Sequence, residues 1–359
     1  MSRAFNPVKI GAWNLPQSFV MAPLTRNRAG AGNAPTELNA TYYGQRASAG
    51  LIITEGTAPT QVGQGYLNVP GLYTDEQIAG WKLVADAVHA ENGTIVAQIM
   101  HAGRIAHTDN KAGLETIAPS AVQAPGEMVT AEGPKPHDVP RAVETSEIAT
   151  LVTDYVVAAR NAVAAGLDGV EVHAANGYLA HQFLDPTINL RDDEYGGSPE
   201  NRARFVVEVV RAVSDAIGAD RVGLRISPGH EFNGVGEQPG DDLDATYGAL
   251  IDGVKDLGLA YLSILGDPTS ALNADLRTRF GGSILFNTGF SDITDLGSIE
   301  KLLKDGAGDA IVVGRQFISN PDLPHRLREG SELNDLDGDH IYGGDGVGYT
   351  DYPTLDAAS

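Results

Sequence analysis

The sequence predicts a single closed (β/α)8 barrel (a TIM barrel) spanning residues 1–359. Short β-branched runs alternate with longer amphipathic segments, as parallel βαβ units require. Eight such runs can be read, the number that closes a barrel of this kind. Unusual polar residues gather immediately after them, at the end where such barrels hold their chemistry. A doubly wound open sheet is the rival arrangement for the same alternation.

Taken in order, residues 1–18 stand outside the repeat and read as a hairpin or lid over the barrel bottom. Strands are expected at 19–22, 50–54, 95–99, 169–173, 222–226, 261–264, 283–286 and 310–313. Helical patterns lie between them at 36–49, 75–91, 144–165, 199–217, 241–257 and 291–304. Ser198 followed by Pro199 is a helix start, a capping hydroxyl before a residue whose missing N–H costs nothing there. Gly166 ends the preceding helix. Residues 102–143, rich in Pro, Gly and Ala, form a long insertion after strand 3, at the catalytic face. No repeat, low-complexity tract or linker marks a second domain.

Composition narrows the function. With 25 Lys+Arg against 47 Asp+Glu the formal charge is −22, which repels nucleic acid and anionic membranes alike. Cysteine is absent, so disulfides, thiolate metal sites, cysteine nucleophiles and cysteine-held iron–sulfur clusters are excluded together. No apolar run approaches the ~18–20 residues that cross a bilayer. The first residues lack the apolar core of a secretory signal, so a cytoplasmic protein is expected, as a monomer or homodimer.

The polar residues after the strands are Thr25 and Arg26, Glu55 and Gly56, Gln98 and His101, His173 and Asn176, Arg225, Gly289, and Gly314 with Arg315. His173 and Asn176 share a direction if the chain makes one helical turn, and two neutral donors suit a carbonyl oxygen gaining charge. The alternative is a hydrogen-bonded histidine and a turn asparagine. Tyr178, with a phenol pKa near ~10, can hand a proton to a carbon next to a carbonyl, or simply be a half-buried tyrosine. Gly314-Arg315 and Asn287-Thr288-Gly289-Phe290, leading into a helix at Ser291, could form the two halves of a phosphate cradle, or ordinary strand-to-helix turns. Arg225, inside an apolar strand, needs a partner: an anionic flavin edge or Glu171. Gln98 presents donor and acceptor to a pyrimidine edge, and Thr25 a hydroxyl. His101 and His107 lack a third ligand at metal spacing, so no metal is expected.

The motifs MAPLTR (21–26), AQIMHAGR (97–104), VHAANGY (172–178), HQFL (181–184), NLRDDEYGGSPENR (189–202) and GYTDYP (348–353) resemble the Old Yellow Enzyme family, in order over nearly the whole chain. The tail is most similar to the bacterial FMN-dependent ene-reductases. The resemblance implies non-covalent FMN, NADPH or NADH as donor, and activated alkenes or nitro compounds as substrates. It implies that His173 and Asn176 hold the substrate oxygen and that Tyr178 protonates the α-carbon. It further implies that Pro23, Leu24, Thr25, Gly56, Gln98, His173, Arg225, Thr288, Gly289, Gly314 and Arg315 line the flavin. Thr25, Met100 and Tyr352 would border the substrate, with Tyr352 closing the pocket from the tail. Met100 departs from the large aromatic common there, Asn176 from the second histidine of some relatives, and Thr288 from a small residue. A nitro, nitrate-ester or quinone reductase is the alternative enzyme, and a flavin carrier without turnover the alternative outside enzymology.

Overall fold

The computed structural model describes residues 2–290 and 294–355. Val8–Ile10 (β1) and Trp13–Leu15 (β2) form an antiparallel hairpin. Its turn residue Gly11 has φ 52° and lies against the Asp220 carbonyl and Ala260, so a side chain there would collide with both. Ala12 N–H donates to that carbonyl at 2.9 Å. The hairpin therefore plugs the N-terminal end of the barrel, as expected of residues 1–18.

Phe19–Met21 (β3), Leu51–Thr57 (β4) and Ile95–Ile99 (β5) begin the barrel. The insertion then contributes Ile117–Ala118 (β6), Glu127–Thr130 (β7), Gly133–Pro136 (β8) and Arg141–Ala142 (β9), with β7 and β8 an antiparallel hairpin. Gly169–Ala174 (β10), Val222–Ile226 (β11), Tyr261–Leu265 (β12), Ile284–Asn287 (β13) and Ala310–Val313 (β14) complete the ring. It closes in the order β10-β11-β12-β13-β14-β3-β4-β5, and every ladder is parallel. Every residue of these strands is buried, which is why they read as apolar runs rather than alternating ones. Strand β4 outruns its expected end because its register shifts between Ile53 and Gly56, bringing Glu55 and Gly56 into the strand.

Helices cover the ring: Glu37–Gly44 (α1), Asp75–Ala90 (α2), Ile148–Ala164 (α3), Leu179–Leu184 (α4), Pro199–Ile217 (α5), Asp241–Val254 (α6), Ala271–Phe280 (α7), Leu296–Lys304 (α8), Arg315–Ser319 (α9) and Leu323–Glu329 (α10). Ser198 accepts from Asn201 N–H at 3.3 Å with Pro199 in the first turn, as its sequence requires. The expected helix at 36–49 is shorter, breaking into turns after Gly44. That expected at 144–165 begins with a separate 3-10 turn at Thr145–Glu147. Its counterpart at 291–304 starts at Leu296, where Asp295 accepts from Ser298 N–H at 2.7 Å; the expected start at Ser291 lies outside the described residues.

Val20, Leu51, Ile53, Val96, Tyr261, Leu285 and Val312 fill the barrel together with Ile10 and Leu15 of the hairpin. A separate cluster at the opposite end joins Met100, Ala102, Ile105, Ala106, Ala124, Met128 and Tyr178. Met128 belongs to β7, so the insertion hairpin sits directly beside Tyr178. Among the described residues no helix is long and apolar enough to cross a membrane.

Candidate active site

His173 lies on β10 opposite Arg225 of β11, and Glu171 lies opposite Gln98 of β5. Beyond β10 the chain does not make a helical turn. Asn176 (φ 58°) and Gly177 (φ 76°) are both left-handed, a conformation Asn and Gly adopt most readily. The backbone here is fully committed: Asn176 N–H donates to Ser227 Oγ at 2.9 Å, and its carbonyl accepts from Asn233 Nδ2 at 2.8 Å. Gly177 N–H donates to His181 Nδ1 at 3.0 Å. A side chain at 177 would lie 2.8 Å from Asn233 Cβ and 2.9 Å from the Phe232 carbonyl.

Ala175 N–H donates to His173 Nδ1 at 3.3 Å, which leaves the ring proton on Nε2. Burial, with the charge of Arg225 and then His181, holds the imidazole well below its ordinary range, so His173 is a neutral donor. Tyr178 meets it edge-on with ring centroids 5.1 Å apart. The Asn176 Oδ1 is buried without a partner. Burial raises the Tyr178 phenol, although hydrogen bonds from Tyr66 and Asn233 oppose this. The structure thus gathers His173, Asn176 and Tyr178 on one tightly held turn.

Arg225 carries the strongest demand for a ligand. It is buried, its Nε and Nη1 have no partner, and no ion pair with Glu171 forms within the described residues. Gln98 instead donates from Nε2 to Glu171 Oε1 at 2.7 Å, leaving Glu171 Oε2, Ser263 Oγ and Tyr261 Oη unpartnered below. Buried polar groups are seldom left so, and a planar heterocycle with acceptors along one edge fits this set. Pro23, Leu24 and Thr25 are half-buried in sequence after β3, whereas Arg26 is fully buried. A side chain begun at Gly314 would stand 3.8 and 3.9 Å from Leu24 and Ala22. Asn287 ties the two expected cradle loops together, donating to the Val312 carbonyl at 2.9 Å and accepting from Gly289 N–H at 3.1 Å. Gly289 (φ 134°) has open space where a side chain would stand, and the exposed Arg315 has no hydrogen bond among the described residues. These residues fit the isoalloxazine edge and phosphate of FMN. Gly56 faces Met100, whose Sδ would lie 2.5 Å from a Cβ placed there.

Several participants escaped the sequence reading. The Tyr66 hydroxyl bonds that of Tyr178, and Asn233 braces the turn through the Asn176 carbonyl. Tyr352 accepts at its hydroxyl from the Asp337 N–H at 3.0 Å. Arg26, one of the polar residues that follow the strands, holds the tail, donating to the Ile341 and Gly348 carbonyls at 2.9 and 2.7 Å beside the stacked rings of Tyr42 and Tyr349. Behind the turn, His181, Glu237 and Tyr247 form a buried network: His181 Nε2 lies 3.2 Å from Glu237 Oε1, and Tyr247 donates to Glu237 at 3.1 Å.

Comparison with known proteins agrees with this fold. The family model for the NADH:flavin oxidoreductase / NADH oxidase family matches residues 3–260. A probable flavin mononucleotide-dependent alkene reductase of Leishmania infantum is 42% identical over 362 residues, covering 97% of this chain and 96% of that protein. Morphinone reductase in complex with tetrahydroNAD superimposes with a TM-score of 0.92 at 44% identity, over 99% of this chain and 98% of that one. An old yellow enzyme homologue from Zymomonas mobilis gives a TM-score of 0.93 at 39% identity, over 98% of this chain and 99% of that one.

Proposed function

The chain belongs to the NADH:flavin oxidoreductase / NADH oxidase family and is an FMN-dependent alkene reductase driven by a nicotinamide nucleotide, and we propose how its residues divide that work. When bound, FMN supplies the two-electron chemistry, taking a hydride from the nicotinamide and passing it to the alkene.

His173 Nε2–H and the Asn176 amide hold the carbonyl or nitro oxygen of an activated alkene, drawing electron density from the β-carbon. Tyr178, kept protonated by burial, gives its proton to the α-carbon. Arg225 and Gln98 hold the pyrimidine edge of the flavin and Thr25 its far carbonyl, with Pro23, Leu24 and Gly56 as the wall. Thr288, Gly289, Gly314 and Arg315 receive the phosphate. Met100, packed with Met128 and Tyr178, is an adaptable wall of the substrate pocket. Tyr352 closes the substrate pocket from the tail. Enones and nitroalkenes are the substrates this arrangement suits, in a cytoplasmic monomer or homodimer.

The observation that carries the assignment is the buried, unpartnered Arg225 beside a neutral His173 on the adjoining strand. Purified protein is expected to be yellow, to bleach anaerobically with a nicotinamide nucleotide, and to recover its colour when an enone is added. Bleaching that no activated alkene reverses would overturn these roles.

A further inference from the structure

We propose that the mouth of this site selects NADH over NADPH, a specificity that rests on the alkene-reductase reading above.

Three segments rim the mouth. The β7–β8 hairpin is placed there by Met128, packed with Met100 and Tyr178. The loop after β11 is placed there by Asn233, which donates to the Asn176 carbonyl at 2.8 Å, and the tail by Arg26 and Arg28 after β3, which hold its carbonyls. Each segment presents carboxylates to solvent: Glu127 and Glu132 on the hairpin, Glu231 on the loop, Asp339 and Asp345 on the tail.

The cations at this end are already committed. All Lys and Arg residues of the chain fall among the described residues. Arg26 and Arg28 are buried and spend their guanidinium groups on tail carbonyls. Arg104 is buried and donates to the Gly234 carbonyl at 2.8 Å. Lys111 is buried against the Val62 carbonyl at 3.3 Å. Arg225 lies inside the barrel, and Arg315 belongs to the phosphate cradle. Lys135 of the hairpin is part-exposed, and it is gripped by Asp109 at 2.5 Å and Glu132 at 2.7 Å.

The nicotinamide must stack over the flavin, within reach of His173 and Arg225. The adenosine half of the nucleotide therefore leaves through the mouth. The 2′-phosphate of NADPH brings roughly −1.5 to −2 more charge at neutral pH, the value for a phosphate monoester, and meets carboxylates with no uncommitted guanidinium or ammonium to receive it. NADH lacks that group and passes the same rim without the added repulsion.

The test is anaerobic stopped-flow reduction of the FMN-loaded enzyme by each nucleotide. The second-order rate for NADH is expected to exceed that for NADPH by about tenfold or more at low salt. The ratio should narrow as ionic strength rises from about 0.01 M to about 0.3 M, because screening shortens the reach of the rim charges. A Glu127→Lys/Glu231→Lys double variant should narrow it several-fold by raising the NADPH rate. NADPH reducing the wild-type flavin as fast as NADH overturns this proposal alone, as does a ratio that neither salt nor charge reversal moves. Reduction by neither nucleotide overturns the reductase reading and the proposal with it.

Discussion

The Tyr178 hydroxyl lies 2.9 Å from that of Tyr66, and the two rings meet nearly perpendicular with centroids 6.4 Å apart. Burial raises both phenols above their ordinary range, so each stays protonated at neutral pH. Tyr178→Phe should therefore slow oxidation of the reduced flavin by an enone about 10²–10⁴-fold, the usual worth of a positioned general acid. Reduction of the flavin by the nicotinamide nucleotide should change far less. Stopped-flow measurement of the two half-reactions checks this, and an unchanged enone rate would assign the proton to water.

His173 is a neutral donor whose proton sits on Nε2, because Nδ1 already accepts from Ala175 N–H. Phenols place an oxygen where the substrate oxygen goes. His173→Ala should weaken the binding of a simple phenol about tenfold to a hundredfold, the cost of one hydrogen bond to a charged or charging oxygen. In the wild type, phenol affinity should show no histidine inflection near the ordinary value of about 6.5, since His173 remains neutral there. Phenol affinity unchanged in the variant would place the oxygen site elsewhere.

The barrel was legible because its strands are buried on both faces and so read as unbroken apolar runs between glycine and polar turns. Short elements were not: α4, α9 and α10 lie among residues whose pattern serves packing rather than helical periodicity. The site divides in the same way. His173, Asn176 and Tyr178 are close in sequence and could be read as a group, although the left-handed Asn176-Gly177 backbone that positions them reflects tertiary bonds to Ser227, Asn233 and His181. Tyr66 could not be read, because its partner is 112 positions away. The path of the tail that carries Tyr352 could not be read either, because it is set by carbonyls that Arg26 and Arg28 hold.

Glu237 is buried where it accepts from Gly229 N–H at 2.9 Å and Tyr247 at 3.1 Å and faces His181 Nε2 at 3.2 Å. His181 in turn receives Gly177 N–H, so Glu237 acts on the catalytic turn only through the imidazole and is a positioning residue. Glu237→Gln replaces one carboxyl oxygen by an amide that cannot accept and should slow alkene reduction about tenfold. Flavin reduction should hold, and phenol affinity should fall with the alkene rate. A variant that merely loses thermal stability while both half-reactions persist would show that the network supports the fold alone.

Glu55, buried on β4 beside Gly56, offers a test by pH. Its carboxylate accepts from Arg26 N–H at 3.2 Å and Tyr43 at 3.3 Å, yet burial outweighs these donors and raises its pKa to about 7 from an ordinary 4.5. A carboxyl whose folded pKa lies above its unfolded value stabilises the fold fully below the unfolded value and loses that contribution as pH rises through the folded one. The shift corresponds to about 3 kcal/mol, all of it lost above neutrality. Glu55→Gln keeps the shape and removes the titration. Its stability relative to wild type should therefore improve by about 2–3 kcal/mol between about pH 5 and about pH 8.5, as read from urea unfolding of both proteins at each pH. A difference that stays constant across that interval would mean that Glu55 remains ionised throughout, with Arg26 and Tyr43 offsetting its burial.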